Sequence, residues 1–443
     1  MNLFGILKAI PFGELAEKGY FLYSKAPRNF LENMEAENFR KTVRFCAKYS
    51  PFYKRKFKEQ AILPEKVKTP SDLGDFFTTA EDLRANPHDF VCGPYDTAYE
   101  TTGTTSKRTK RVYFSRSEVK EAGFAGAVGL WGLGVRKTDR VASAFDYSFW
   151  VSGPVLSASC ETLGCFHVEA GRLDPAEFYD RLSDYGITVI VGDPSWIVRL
   201  SEIAEKKGTL HQSVGGQAWP VKLLLGGGEN LTEEARRYVE KVWKADFILS
   251  YGQTEAFGAI GMETRDKVGY HLNEFHNYFE IINSNAQGYG ELVYTNLNRR
   301  VMPFIRYRSG DITRFLDGTS PNGLPGRRVE KLKGRVDEWT VTAMGNIAPW
   351  MFESVFKAMP TVGDWQIVVD KEGIKDRVEL HFETPDLSDG LENKVLNDFR
   401  GLFTDASKMA DMGLLTLKAV AHPKGSLRGQ DRKLRRMVDK RVF

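Results

Sequence analysis

The sequence predicts an α/β fold with a large N-terminal domain and a small α+β C-terminal domain. Three observations support this prediction. Between residues 140 and 252, short apolar runs alternate with helical segments, as in a parallel sheet covered by helices. From Tyr278 to Arg314 the strands alternate and are rich in turns, which favours antiparallel pairing in a barrel-like subdomain. After Gly334 a fresh unit begins, so we predict domains over residues 1–336 and 337–443.

The elements of the large domain follow from local patterns. Phe39–Gln60 predicts a helix that is interrupted at Ser50 and Pro51, because the residue before a proline avoids the helical conformation. Apolar runs that end at or just before a glycine predict buried strands at Ile187–Gly192 and Val221–Leu225. Phe247–Gly252 predicts a further strand, and Arg140–Ala144 is a short strand candidate. Helices are predicted to begin at Asp174 and to cover Pro194–Lys207 and Leu231–Lys244.

The small domain shows a shorter alternation of the same kinds of element. Its predicted helices are Pro349–Met359 and Leu391–Phe403. Its predicted strands are Trp365–Val369, Val378–Phe382 and Leu414–Ala419. These roughly 105 residues are enough for a separate α+β layer.

Composition excludes several classes of protein. Hydrophobic residues make up 42% of the 443 residues and charged residues 27%, as in an ordinary globular protein. The chain lacks an apolar run of about 18 residues, so no membrane span is expected. Met1–Tyr23 is broken by Pro11 and two glutamates, so we expect no secretory signal. Four scattered cysteines fit a reducing compartment, which predicts a cytoplasmic protein.

The net charge of +4 comes from the C-terminal tail. Residues 424–443 carry eight basic and two acidic side chains, so the rest of the chain is slightly acidic. Such a tail suits nucleic acid, an anionic membrane surface or an anionic small molecule bound by the same protein. Aromatic residues do not alternate with the tail charges, so we expect no nucleic-acid partner.

In the segment Tyr99–Lys110, four threonines surround one glycine, and three basic residues follow. Gly103 permits a tight turn, the hydroxyl and backbone N–H groups can donate to oxyanions, and Lys107 adds positive charge. The spacing differs from that of a Walker A loop. The segment therefore predicts a phosphate-binding loop, with an ordinary polar surface loop as the alternative.

Two further loops follow predicted parallel strands, at the sheet edge where ligands bind in such folds. Gly226–Glu229 would let the backbone approach a flat ligand, or would form a flexible turn. In Tyr251–Glu255 an aromatic ring could stack on a base, Thr254 could bond a phosphate and Glu255 could bind Mg²⁺. A helix N-cap at Thr254 is the alternative.

Three motifs lie further along the chain. Asp311 follows a glycine turn and is suited to accept both hydroxyls of a ribose, although Ser309–Asp311 also fits a hairpin turn. Gly334–Asp337 falls at the predicted domain boundary. Gly425–Lys433 is a glycine-rich loop within the basic tail.

The order of these motifs resembles that of the adenylate-forming superfamily of acyl-CoA synthetases and related ligases. Within it, the chain is most similar to the phenylacetate–CoA ligase family. The Ser50–Tyr53 segment, the short overall length, and Gly425–Leu427 followed by Lys433 and Arg436–Asp439 carry this closer resemblance. The resemblance spans nearly the whole chain.

The resemblance implies a role for each matching residue. Glu255 would bind magnesium, Lys433 would be the catalytic lysine of a mobile C-terminal domain, and Asp337 would be the hinge. Asp311 would bind ribose and Arg335 the nucleotide. The remaining implied nucleotide contacts are Thr101, Thr102, Gly103, Thr104, Thr105 and Lys107 for the phosphates, Gly227, Gly228, Glu229, Tyr251 and Gly252 for adenine, and Thr254 for a phosphate.

The implied reaction is ATP-dependent activation of a carboxylic acid to an acyl-adenylate, with Mg²⁺, followed by transfer to coenzyme A. Aromatic residues after two strands predict an aromatic acid; those assigned to the pocket are Tyr147, Phe149, Trp150 and Trp196, and packing of the sheet face is their alternative role. The resemblance also allows a homodimer, an acyl-carrier protein or amine as acceptor, or adenylylation of a cofactor. A non-catalytic protein that binds anions through its basic tail is a further alternative.

Three positions depart from the family pattern. Ser106 stands where a glycine is usual, so the phosphate loop should be stiffer. Ser309 replaces a commoner threonine. The segment Thr340–Asn346 lacks the usual lysine or arginine before its glycine, which leaves the identity of the thiol acceptor open.

Overall fold

The computed structural model places the chain in two compact units, one of residues 1–309 and 314–331 and one of residues 310–313 and 332–443. The residues that the structure describes are 14–101, 109–207, 213–214, 217–218, 221–229, 231, 233–285, 287–318, 320, 322–336, 340–342, 345–347, 349–357, 359, 361–372, 375–385, 387, 390–403, 407, 410–411, 415–428 and 434–441.

Helices of the first unit pack around one large sheet. They are α1 (Leu15–Ser24), α2 (Arg28–Tyr49), α3 (Pro51–Glu59), α4 (Ala80–Ala85), α5 (Arg116–Gly132), α6 (Ser152–Leu163), α7 (Pro175–Tyr185), α8 (Pro194–Lys207) and α9 (Glu233–Trp243). The predicted break between α2 and α3 is confirmed. Ser50 caps α3 by accepting the N–H of Tyr53 at 3.3 Å, and Pro51 occupies the first turn.

Strands of the first unit form the large sheet and three smaller ones. They are β1 (Thr97–Thr101), β2 (Lys110–Phe114), β3 (Arg140–Ser143), β4 (Phe166–Glu169), β5 (Val189–Gly192), β6 (Ser213–Val214), β7 (Gln217–Ala218), β8 (Leu223–Gly227), β9 (Asp246–Gln253), β10 (Gly258–Met262), β11 (Tyr270–Leu272), β12 (Asn277–Ile282), β13 (Gly290–Asn296), β14 (Tyr307–Thr313), β15 (Phe315–Leu316) and β16 (Arg328–Val329). β14 continues into the second unit at Gly310.

The large sheet has the strand order β15-β16-β11-β10-β9-β8-β5-β3-β4. The pairs β4–β3, β3–β5, β5–β8 and β8–β9 are parallel, as the alternation of strands and helices predicts. β10, β11, β16 and β15 extend it with antiparallel pairs. Its central strands are buried on both faces, which explains why their sequences are continuous apolar runs. The predicted α/β fold class is confirmed.

Smaller sheets flank the large one. β1 and β2 form an antiparallel hairpin in which Thr101 pairs with Lys110. β6 and β7 form another hairpin. The antiparallel pairing predicted after Tyr278 is confirmed by β12 and β13, which belong to a three-stranded sheet with the order β12-β13-β14.

The second unit is an α+β layer. Its elements are β17 (Thr340–Thr342), β18 (Gly345–Ile347), α10 (Pro349–Lys357), β19 (Trp365–Glu372), β20 (Lys375–Thr384), α11 (Leu391–Leu402), β21 (Leu415–Pro423) and β22 (Met437–Asp439). A four-stranded sheet has the order β21-β20-β19-β22. The two helices bury Phe352 and Phe399 in a core with strand residues such as Ile367 and Leu380. No helix in the described ranges is long and apolar enough to cross a membrane.

Two buried glutamates in the first unit share two arginines. Glu274 Oε2 lies 2.5 Å from Arg28 Nη1, and its other oxygen contacts Arg327. Glu35 on α2 lies 3.3 Å from Arg327 and 3.7 Å from Arg28. Burial and the neighbouring charge of Glu274 raise the pKa of Glu35 to about 8, while the arginines outweigh burial at Glu274 and lower its pKa.

The Glu35 carboxyl should make stability depend on pH. Its pKa in the folded chain lies above the ordinary value of 4.5, so its contribution is fully present at low pH and is lost as pH rises toward 8. We expect Glu35→Gln to gain stability relative to wild type between about pH 5 and 8, measured as urea-unfolding midpoints. Glu32→Gln, which changes an exposed partner of Arg28, is the control. An identical difference between variant and wild type at every pH would contradict the assignment.

Candidate active site

The carboxyl ends of the parallel strands lie at one edge of the large sheet. Gly192 at the end of β5 pairs with Gly226, and Gly227 at the end of β8 pairs with Ser250 on β9. In open parallel sheets this edge is the usual place for ligands. The predicted loops after β8 and β9 are therefore neighbours in the fold.

The glycine loop after β8 is built for close backbone approach. A Cβ at Gly227 would lie 2.8 Å from the Ser250 hydroxyl and 3.3 Å from the ring of Phe145. Gly228 has φ +85°, a conformation that favours glycine. Glu229 accepts the backbone N–H of Ser195 at 3.0 Å and so links this loop to the start of α8.

The end of β9 carries Tyr251 and Gly252, and the turn that follows it carries Thr254 and Glu255. Thr254–Ala256 forms one 3₁₀ turn between antiparallel strands, and not the start of an α-helix. A Cβ at Gly252 would lie 2.6 Å from the carbonyl oxygen of Gly258, so this tight hairpin requires glycine. Tyr251 is buried with its ring 5.8 Å from that of Tyr270, and Thr254 is buried as well.

Buried side chains fix the backbone of this turn. Asn296 donates to the carbonyl oxygen of Glu255 at 3.1 Å, and Asn277 donates to that of Ala256 at 3.1 Å. Arg299 donates to the same Glu255 oxygen at 3.4 Å and to the carbonyl oxygen of Tyr113 on β2 at 2.9 Å. The guanidinium of Arg299 therefore joins the turn to the β1–β2 hairpin.

The Glu255 carboxylate is buried, with 1% of the residue exposed, and it is paired. Its Oε1 contacts the ammonium of Lys110 and accepts the hydroxyl of Tyr307 at 2.8 Å. Lys110 also lies 3.3 Å from that hydroxyl. Burial acts to raise the pKa of Glu255, but the charge and hydrogen bond of Lys110 and the bond from Tyr307 outweigh it and lower that pKa. Glu255 is thus an ionised carboxylate inside the protein.

Thr101 is the described residue of the predicted phosphate loop. It pairs across the hairpin with Lys110. Its hydroxyl is buried and has no hydrogen-bond partner within the described part of the chain. A buried hydroxyl without a hydrogen bond is energetically costly, and a phosphate oxygen could accept a hydrogen bond from it.

Several predicted site residues lie outside the described residues. They are Thr102, Gly103, Thr104, Thr105 and Lys107 of the phosphate loop, together with Ser106, the hinge Asp337 and the lysine Lys433. Their roles stay predictions.

The second unit holds two predicted nucleotide contacts. Arg335 Nη1 lies 3.0 Å from Asp311 Oδ1, and the two residues form an isolated antiparallel bridge. Gly310 has φ +77°, and a Cβ there would lie 2.6 Å from the Arg335 guanidinium. The positive φ therefore favours glycine before Asp311, and a larger residue there would also displace the end of the Arg335 side chain.

Three of the predicted pocket aromatics lie between β3 and α6, and Trp196 lies in the first turn of α8. Tyr147 packs against Gly153 and lies 3.3 Å from His167 Nε2, and burial raises its pKa to about 12. Trp196 packs edge-on against Phe178 at 4.8 Å.

The other two predicted pocket aromatics are Phe149 and Trp150. Phe149 is 63% exposed. Trp150 forms a hydrogen bond with the carboxylate of Asp146. Burial acts to raise the pKa of Asp146, but this bond, the bonds from Ser148 and the charge of Arg172 lower it.

Sequence reasoning missed three residues of this site. Lys110 belongs to the basic end of the phosphate segment, but its pairing with Glu255 is set only by the fold. Tyr307 lies in the Ser-Gly-Asp motif and could have been singled out as a hydroxyl beside the predicted ribose aspartate. Arg299 gives no local signal, because its partners are backbone carbonyl oxygens.

The residues present fit a magnesium–nucleotide complex. No group of three or more metal-binding side chains occurs in the described ranges. Glu255 provides one ionised carboxylate, and Mg²⁺ is commonly held by one or two carboxylates together with phosphate oxygens and water. This donor set suits a metal that arrives with a nucleotide.

Comparison with solved structures identifies the fold. The structure of 2-hydroxyisobutyryl-CoA ligase in the postadenylation state, in complex with R3-HIB-AMP, has a TM-score of 0.74 and 23% sequence identity. The match covers 95% of this chain and 91% of that chain. The fold is therefore one used by adenylate-forming enzymes.

Two sequence relatives match over most of their lengths. Phenylacetate-coenzyme A ligase of Pseudomonas putida is 28% identical over 389 residues, covering 82% of this chain and 86% of the relative. Phenylacetate-coenzyme A ligase of Thermus thermophilus is 27% identical over 440 residues, covering 94% and 98%.

A family model described as AMP-binding enzyme matches residues 42–283, which is more than half of the chain. The chain therefore belongs to the AMP-binding enzyme family. The predicted resemblance to adenylate-forming enzymes, with phenylacetate–CoA ligases among its relatives, is confirmed.

Proposed function

We propose that this protein is an AMP-forming acid–CoA ligase that activates an aromatic carboxylic acid. The observation that carries the proposal is the buried Glu255 side chain at the edge of the parallel sheet, with Lys110 and Tyr307 on the same oxygen. Family membership and the full-length similarity to phenylacetate-coenzyme A ligases support it.

In the first step, a carboxylate oxygen of the acid attacks the α-phosphorus of ATP. The new bond joins that oxygen to phosphorus, and the bond between the α-phosphorus and the bridging oxygen to the β-phosphate breaks. Pyrophosphate leaves with the bonding pair, and the acyl-adenylate remains. Because both reactants are anions, the site must neutralise negative charge.

The nucleotide contacts are assigned as follows. Glu255 would bind Mg²⁺, which when bound neutralises charge on the phosphate oxygens. Asp311 would accept the ribose hydroxyls, with Arg335 beside it. The other proposed contacts are Thr101, Thr102, Gly103, Thr104, Thr105, Lys107 and Thr254 for the phosphates and Gly227, Gly228, Glu229, Tyr251 and Gly252 for adenine.

In the second step, the thiolate of coenzyme A attacks the acyl carbon of the adenylate. A carbon–sulfur bond forms, the bond between that carbon and the phosphate oxygen breaks, and AMP leaves. We assign Lys433 to charge stabilisation in the first step. Asp337 would be the hinge for a domain movement between the two steps.

The acid is proposed to be aromatic. Phe145 lies against Gly227 at the sheet edge, Tyr147 follows β3, and Trp196 lies in the first turn of α8 after β5. Apolar and aromatic side chains with few polar groups suit a flat apolar acid.

A panel of acids tests the function. The protein is incubated with ATP, Mg²⁺, coenzyme A and a series of aryl and aliphatic acids, and pyrophosphate, AMP and thioester are measured. We expect all three products in equal amounts, with higher kcat/KM for the aryl acids. The absence of pyrophosphate with every acid would refute the proposed activity.

The acceptor is tested separately. Replacing coenzyme A by an acyl-carrier protein, an amine or a deazaflavin should leave pyrophosphate release intact but give no transferred product. Transfer to one of these in preference to coenzyme A would reassign the second step.

The four cysteines are free, which supports our proposal of a reducing cytoplasm as the site of the reaction.

A further inference from the structure

The contact between Lys110 and Glu255 occupies the place where the proposed metal would bind. The ammonium of Lys110 touches Oε1 of Glu255, and the Lys110 side chain is only 14% exposed. Tyr307 donates to the same oxygen at 2.8 Å. A positive group is therefore in direct contact with the carboxylate that is proposed to bind the metal.

A buried carboxylate of this kind needs a partner. Removing an ion from water is costly unless an opposite charge compensates it, and Glu255 is almost fully enclosed. Among the residues that the structure describes, Lys110 is in ion-pair contact with Glu255 and is that partner. Its positive charge compensates the negative charge of the proposed metal ligand.

The same contact opposes a divalent cation. A lysine ammonium and a metal ion repel each other, so their joint approach to one carboxylate oxygen is unfavourable. A metal at Oε1 would therefore have to compete with Lys110. The flexible four-carbon stem of a lysine allows the ammonium to move aside without a change of the backbone.

We propose that Lys110 is an internal counter-ion that excludes free divalent cations from Glu255 until a nucleotide brings phosphate ligands for the metal. Free Mg²⁺ gains too few ligands at this single carboxylate to displace the ammonium. A metal bound to ATP brings phosphate oxygens with it. This inference rests on the proposed nucleotide site and adds to it a positioning residue that sets the order of binding.

Binding of Mn²⁺ alone to the nucleotide-free protein tests this inference. Free Mn²⁺ is counted by electron paramagnetic resonance at pH 8, with wild type and Lys110→Gln. Glutamine keeps a neutral hydrogen-bond donor beside Glu255 but removes the charge. We expect the variant to bind Mn²⁺ at least about tenfold more tightly, since one charged hydrogen bond of this kind corresponds to about that factor.

Two further variants localise the effect. Arg111→Met removes the adjacent positive charge, which pairs with Glu100 on the surface of the hairpin, and should bind Mn²⁺ as wild type does. The double variant Lys110→Gln/Glu255→Gln should lose the gained binding. Lys110→Met repeats the measurement without a hydrogen-bond donor, and circular dichroism checks the folding of every variant.

The outcomes divide cleanly. Tighter binding in Lys110→Gln alone, and its loss in the double variant, supports the inference. Equal Mn²⁺ affinity in wild type and both Lys110 variants, undetectable binding included, overturns it. An equal gain in Arg111→Met, or retained binding in the double variant, overturns it too. Because wild-type pyrophosphate release is measured independently, a failure here leaves the proposed function standing.

Discussion

Glu255→Gln should lower the rate of adenylate formation by about 10²-fold or more, because the charge stabilisation supplied through a bound metal amounts to several kcal/mol. Glutamine keeps the size of the side chain and can still accept the hydroxyl of Tyr307. It removes the negative charge that pairs with Lys110 and that would bind Mg²⁺. The measurement is pyrophosphate release as a function of Mg²⁺ concentration at saturating acid.

The Mg²⁺ dependence separates two explanations for a slow variant. Loss of a metal ligand should move the half-saturating Mg²⁺ concentration upward, whereas a general disturbance of the site should lower the rate at every concentration alike. Glu100→Gln is the matched control, since that carboxylate lies in the same hairpin and pairs with Arg111 at 2.8 Å on the surface. A Glu255→Gln rate within threefold of wild type would remove Glu255 from the metal site.

The fold could be predicted from the sequence because its signals are local. Ile187–Gly192 and Val221–Leu225 are apolar runs of strand length that end in glycine, and both became central parallel strands, β5 and β8. Ser50 and Pro51 marked a helix boundary for a reason confined to two residues. Such signals act within a few residues and survive in any tertiary context.

The arrangement of the candidate site depends on distant contacts and was only partly predictable. The motif around Glu255 was found, but its contact with Lys110 depends on how the β1–β2 hairpin packs on the large sheet. Arg299, which joins the hairpin to the turn, bonds backbone oxygens that carry no sequence signature. Pattern reasoning therefore identified chemical groups but not their neighbours.

Buried ion pairs that stabilise the fold are also difficult to predict from sequence patterns. A charged residue on an amphipathic helix ordinarily faces solvent, so Arg236 on α9 gave no sign that it is enclosed. It is 1% exposed, and its partner Glu263, which follows β10, is 0% exposed. Two bonds of 2.8 Å join the guanidinium to both oxygens of that carboxylate.

This ion pair also completes the bonding of β9. Glu263 Oε2 accepts the backbone N–H of Leu249 at 2.7 Å, and Arg236 donates to the carbonyl oxygen of Phe247 at 2.5 Å. β9 itself carries Tyr251 and leads directly into the turn that carries Glu255. The pair thus secures helix α9 against the strand that positions the candidate site.

Glu263→Ala should destabilise the protein by about 3–5 kcal/mol, because the buried guanidinium loses the carboxylate that it bonds twice and keeps the exposed Glu233 at 3.6 Å, and because the Leu249 N–H loses its acceptor. The free energy of unfolding is measured in urea. Arg237→Ala, on the exposed side of the same helix, is the control and should change it by less than about 0.5 kcal/mol.

A double-mutant cycle with Arg236→Met separates the charge pair from the loss of packing. In the Arg236→Met/Glu263→Ala protein no guanidinium is left unpaired, so the double variant should be more stable than the sum of the single losses predicts. The recovery should be incomplete, because in the double variant the Leu249 N–H has lost its acceptor and the Phe247 carbonyl oxygen has lost its donor. Strict additivity of the two single losses of stability would mean that Arg236 and Glu263 are not coupled. The contact between α9 and β9 would then be stabilised by apolar packing alone.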